Sequence, residues 1–132
     1  MTRLTAALEH LEQAWLRNGM PHTDWLAPGR PAFAVEAVLD SVGLAAPVEI
    51  IEWFGWHNGA AVSLQEGDVY PTLGLGGFQP LGVVQALNER IEMIETASSL
   101  EQDPNAIRED FPLWERAWLP VGRSSGGGLL TA

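Results

Sequence analysis

Pro47-Val48-Glu49-Ile50-Ile51-Glu52-Trp53-Phe54-Gly55-Trp56-His57-Asn58-Gly59 is the most apolar run of the chain, and it carries the signals of a helix at both ends. A proline at the start costs no internal hydrogen bond, because the first N–H groups of a helix have no partner anyway. Val48, Ile51 and Phe54, joined by Ile50, Trp53 and Trp56, make a wide apolar face, while Glu49 and Glu52 point away from it. Asn58-Gly59 supplies a stop, since both residues tolerate the left-handed conformation that ends helices. The spacing therefore predicts a helix at the centre of the core, with His57 at its C-terminus as a capping and packing residue.

Upstream, Leu4, Leu8, Leu11 and Trp15 recur at helical spacing, with Arg3, Glu9, Glu12 and Arg17 on other faces. Thr2 is the expected cap and Asn18-Gly19 the expected end. The connection from Met20 to Pro31 holds Pro21, Pro28, Pro31 and the apolar pair Trp25-Leu26, which predicts a structured link with Trp25 partly buried. Pro31 then reads as the first residue of a second helix whose stripe is Phe33, Ala37, Val38 and Val42, ended by Gly43.

Downstream, Ala61 to Gly77 has the texture of short strands and turns. Val84, Leu87, Ile91 and Ile94 predict a further helix with its polar face in solvent, fading near Ser98-Ser99. Leu100 to Pro112 reads as an acidic loop. Trp118-Leu119-Pro120-Val121 and Leu129-Leu130-Thr131 read as strands joined by the Gly122 to Gly128 turn. Three to four helices and short strands without regular crossovers predict an α+β domain with a small, mostly antiparallel sheet.

The chain has 132 residues. Size scaling gives an unfolded surface of roughly 20,000 Å² and a folded one of roughly 7,000 Å², so one domain can bury a core without staples. The expected organisation is a single domain over 1–132, with an N-terminal helix over 1–19 and a core over 26–132. With no Cys, disulfide scaffolds, thiolate zinc sites and thiol nucleophiles are excluded. A formal charge of −10, with Arg as the only fixed cation, works against a nucleic-acid backbone or an acidic membrane surface and suits a basic protein partner. Without an apolar signal core or membrane span, the expected location is cytoplasmic.

Chemistry-bearing motifs are sparse. Gly74-Leu75-Gly76-Gly77 is followed by neither Lys-Ser/Thr nor a helix and reads as a turn. His10, His22 and His57 stand too far apart in sequence for a zinc-protease pair, and no Ser sits in a nucleophile elbow. Glu36 and Asp40, one turn apart, are explained by a solvated helix face. A hydrolase built on His57 and a carboxylate requires an accessible cleft around that ring. No catalytic residue, metal ligand or cofactor is expected. The six tryptophans suit a ligand-stacking platform or a core; Trp15, Trp53, Trp56 and Trp118 lie in apolar patterns and are assigned to the core. The acidic pairs Glu66/Asp68 and Glu109/Asp110 are the candidate partner-binding residues.

In series, Leu26-Ala27-Pro28-Gly29, a helix ending in Gly43-Leu44, the run to Trp56-His57-Asn58-Gly59, a helix led in by Pro80-Leu81, and Trp118-Leu119-Pro120-Val121 with its glycines resemble the Smi/Knr-like branch of the SUKH superfamily. The likeness runs from about Leu26 to the end. It implies an α+β protein-binding domain: bacterial members act largely as immunity proteins that neutralise nuclease or deaminase toxins, and fungal relatives regulate cell-wall assembly. An intracellular scaffold or regulator without a toxin partner is the alternative. Trp56, Asn58, Gly59, Trp118, Leu119, Pro120 and Gly128 are the matching residues and are expected to determine the fold. Members of the family usually continue into further strands, so the resemblance implies either a short or C-terminally truncated variant or a sheet that keeps an open edge. It also sets Ser or Thr where this chain has Gly82.

Overall fold

The computed structural model describes residues 2–19, 25–61, 78–102, 114–124 and 129–131. The elements run α1 (Arg3–Arg17), β1 (Leu26–Pro28), α2 (Ala32–Asp40), α3 (Val48–Trp56), β2 (His57–Ala60), β3 (Phe78–Pro80), α4 (Val83–Gln102), β4 (Pro120–Ser124) and β5 (Leu129–Thr131). The fold is α+β. Its strands form two small antiparallel sheets instead of one, β1-β2 and β3-β4-β5. Among the described residues no helix is long and apolar enough to cross a membrane.

α1 forms as its pattern predicts. The Thr2 hydroxyl accepts the Thr5 N–H, Gly19 takes a φ of +65° just beyond the last turn, and Leu8 and Trp15 are buried. Its N-terminal hydroxyls also tie it to α3, because Thr2 and Thr5 both donate to the Glu52 carboxylate. Glu52 thus faces α1, a correction to its expected outward orientation.

The second helix presents a different face from the expected one. Val35 and Leu39 are fully buried, whereas Phe33 is 74% exposed and Val42 38%. The run Ala32-Phe33-Ala34-Val35-Glu36-Ala37-Val38-Leu39 is apolar on nearly every side, so periodicity alone does not choose a face. The carboxylates do: Phe33 lies on the same side as Glu36 and Asp40, at offsets of three and seven residues, and Val35 and Leu39 lie opposite. Pro31 occupies the cap position, with ψ of 150°, not the first helical turn.

α3 starts after Pro47 and places Phe54 wholly inside, but Val48 remains 51% exposed. It ends one residue earlier than expected. His57 is extended (φ −146°, ψ 138°) and begins β2, and the left-handed Gly59 (φ +77°) lies within that strand. The cause is tertiary: β2 pairs with β1, and that ladder satisfies backbone groups that a longer helix would have used internally.

β1 and α3 meet at two glycines. A Cβ on Gly29 would stand 1.7 Å from the Gly55 carbonyl oxygen, so only glycine fits there. Gly55 itself is exposed, and a Cβ on it would meet only the Arg30 carbonyl oxygen, at an ordinary 3.6 Å. Its helical propensity is the poorer part of that bargain, so Gly55→Ala is expected to raise stability by about 0.5–1 kcal/mol. Denaturant unfolding that gives a loss instead would show that the β1–α3 crossing tolerates no added bulk on either side.

α4 is also turned relative to its predicted stripe. Val83, Ala86, Leu87 and Ala97 are buried, while Val84 is 52% and Ile91 47% exposed, and the helix continues past Ser98-Ser99 to Gln102. The start of the helix sets this rotation, since Leu81 is held to the sheet by its N–H bond to the Val121 carbonyl (2.9 Å), which carries Val83 inward. β4 is displaced as well, since Trp118 and Leu119 precede it and it runs from Pro120 to Ser124, whereas β5 has the expected bounds. Val35, Leu39, Phe54, Leu81, Val83, Ala86, Leu87, Leu119 and Val121 form the main core. Trp15 and Leu26, with Leu11, Trp25 and Trp56 against them, form a second cluster that attaches α1; Trp25 is partly buried, as expected.

Candidate functional site

Trp56, Asn58, Gly59, Trp118, Leu119 and Pro120 join elements, and of them Leu119 also lines a cleft. The Asn58 Oδ1 accepts the Val83 N–H at 2.9 Å, across 25 residues, and the Gln85 Oε1 accepts the Gly82 N–H at 2.9 Å. α4 therefore receives its N-terminal cap from β2, because Gly82 has no side chain to supply one. Gly82 packs its Cα against Gly59, and a Cβ on it would stand a tight 3.1 Å from the Asn58 carbonyl oxygen. Leu119 and Pro120 are buried, and Trp118 stands edge-on to Trp114 at 5.5 Å. Glu66, Asp68, Glu109, Asp110 and Gly128 lie outside the described residues.

The indole faces are spent largely on one another. Trp15 stacks on Trp56 at 5.8 Å and 23°, Trp53 leans on Trp56 at 5.6 Å, and the His57 ring stands edge-on to Trp56 at 4.7 Å. Stacked rings of this kind consolidate a core and leave those faces closed to a flat ligand.

His57 is the residue with the most suggestive company. Its Nδ1 is 2.8 Å from the Ala27 carbonyl oxygen and its Nε2 2.6 Å from the Glu12 Oε1, and its side chain is only 13% exposed. A carbonyl can only accept, so Nδ1 carries a proton and donates it to Ala27. A general base needs a nitrogen within reach of a substrate proton. Here both nitrogens are directed at protein groups from α1 and β1, which makes the ring a clamp between those elements. Among the described residues, no group of three or more His, Asp or Glu side chains is placed to hold a metal ion. The Glu52 carboxyl is held below its ordinary range by hydrogen bonds from the hydroxyls of Thr2 and then Thr5, against the opposing cost of burial.

The outer face of α2 has a different character. Phe33 projects from it, 74% exposed, beside Glu36, Ala37 and Asp40, and together with Leu44, Ala45 and Ala46 they surround a shallow depression of about 410 Å³. It offers an aromatic anchor rimmed by two carboxylates. Phe33 was expected in the core, and the signal that separates it from the core residues is its offset from Glu36 and Asp40. No protein-family model matches this chain, and no curated protein matches it.

Proposed function

We propose that this chain is a non-catalytic protein-binding domain that neutralises a basic partner, in the manner of an immunity protein facing a nuclease or deaminase toxin. The observation that carries this is the solvent-facing Phe33 with Glu36 and Asp40 on the same side of α2. A large aromatic left in water gains most when a partner covers it, and such residues dominate binding energy when they fill a pocket. Two carboxylates beside it add little affinity of their own at an exposed rim; they raise the rate of encounter with a cation and disfavour acidic partners. The formal charge of −10 acts in the same direction at longer range. A toxin that holds a nucleic acid must present a basic groove, which is the surface such a face complements. The SUKH-like order of motifs supplies the class of partner, and the clamped geometry of His57 accords with a domain that makes and breaks no bond.

The test uses the product of the gene adjacent to this one. Co-purification and protection of growth are expected, with association that slows as salt is raised. Reversing charge at Glu36→Arg and Asp40→Arg is expected to slow association by about tenfold, and Phe33→Ala to speed dissociation by about tenfold or more. Failure to co-purify, or association equally fast at low and high salt in both the parent and the charge-reversed chain, overturns the proposal.

A further inference from the structure

A second, larger depression of about 650 Å³ lies between α2, α3, α4 and the residues that lead into β4. Sites for small organic molecules occupy roughly 300–1,000 Å³, are mostly apolar, and hold a few placed polar groups. This cleft has that composition. Leu39, Leu44, Ile50 and Leu119 supply apolar walls, and its charged residues are Arg90, Arg116 and Glu49. Two of the seven basic residues in a chain that has 17 acidic ones thus meet at one apolar surface.

Arg90 is held in place. Its Nε and Nη2 both donate to the Arg116 carbonyl oxygen, at 3.0 and 2.6 Å, and its side chain is half-buried. Among the described residues no carboxylate pairs with Arg90 or Arg116; the ion pairs there join His57 to Glu12 and Arg123 to Glu89. Drawing a cation partly out of water beside apolar walls costs free energy unless an anion is supplied. A guanidinium has five N–H donors, so the fork that grips the Arg116 carbonyl retains donors for a carboxylate. The acidity of the rest of the chain does not forbid this, because exposed charges beyond about 8 Å are largely screened at physiological salt.

We propose that this cleft binds a small organic monocarboxylate with an apolar tail, the tail against Leu39, Leu44, Ile50 and Leu119 and the carboxylate on Arg90 and Arg116. The cleft shares Leu44 and Ala45 with the depression beside Phe33 but differs from it in its two arginines, and the proposal goes beyond the role of that face. Titrating the whole protein with sodium octanoate, followed by amide NMR shifts at Ile50, Arg90 and Ala117, which border this cleft and not the Phe33 depression, is expected to show saturable binding. Arg90→Gln and Arg116→Gln are each expected to weaken it by about tenfold, the scale of one charge-assisted hydrogen bond. 1-Octanol, with the same tail and no charge, is expected to bind at least about tenfold more weakly than octanoate. Ala117→Trp, which places an indole in the cleft, is expected to abolish the shifts while the far-ultraviolet circular dichroism is retained. Arg116 is exposed, so Arg116→Gln keeps the test decisive if Arg90→Gln fails to fold. The proposal is overturned if octanoate does not saturate, if octanol binds as tightly, if both arginine variants bind unchanged, or if a peptide ending in a free leucine carboxylate binds more tightly than octanoate.

Discussion

Replacing Gly59 by alanine is expected to cost about 2–5 kcal/mol of stability, the sum of left-handed backbone strain and forced overlap in the packed interior. Gly59 has a φ of +77°, which disfavours any residue with a Cβ, and the added methyl would stand 2.2 Å from the Gly82 nitrogen and 2.6 Å from the Leu81 carbonyl carbon. Those are backbone atoms at the start of α4 and cannot rotate aside as a side-chain tip does. The overlap also separates Asn58 from the Val83 N–H that it caps, so strain at one residue removes a hydrogen bond at another. Against a typical stability of about 5–15 kcal/mol, a loss of that size leaves a marginal protein. Thermal unfolding followed by circular dichroism is expected to show a midpoint lower by about 10 °C or more. A fall of less than about 3 °C would mean that β2 and the start of α4 are not in backbone contact.

Phe54→Ala is expected to lose about 3–5 kcal/mol, since truncating a fully buried aromatic forfeits its transfer from water and leaves a cavity that its neighbours only partly fill. Phe54 is 0% exposed and packs in the main core with Val35, Leu39 and Val83. Phe33 makes the contrast. The same truncation at a side chain 74% exposed is expected to change stability by no more than about 0.5 kcal/mol. Denaturant melts of the two variants, side by side, separate the aromatic that holds the fold from the one proposed to hold a partner. Equal losses in both would place Phe33 in the core and remove the docking face on α2.

The four apolar helices and their approximate limits follow from local physics. Thr2 caps α1, and Gly19 and Gly43 lie beyond the ends of α1 and α2 in left-handed conformations, roles set by side chains and φ angles within a few residues. Asn58 and Gly59 sit at the join of β2 with α4, and Leu119 and Pro120 are buried. What they do there was not visible in the sequence. Asn58 looks like a helix terminator when read beside Gly59, yet it caps a helix 25 residues away. Gly82 looks like a weak start for α4, yet its backbone is the surface against which Gly59 packs.

The candidate sites were less legible still. Phe33 reads as core by hydrophobicity, and only its offset from Glu36 and Asp40 marks it as exposed. Arg90 and Arg116 stand 26 residues apart, and no spacing rule connects them; a bond from a guanidinium to a backbone carbonyl does. His57 sits beside an apparent helix end in the sequence, while its partners Glu12 and Ala27 come from α1 and β1.

Composition and periodicity alone determined an acidic α+β chain without thiol chemistry, because charge counts and repeating apolar spacing are properties of residues and their near neighbours. Which face of α2 and α4 is buried, where α3 gives way to β2, and which charges meet around a cleft were decided by tertiary structure. Each depends on a competitor for the same backbone group or the same apolar surface that lies far away along the chain, and packing chooses among the local options by burying Val35, Leu39 and Val83 together with Phe54.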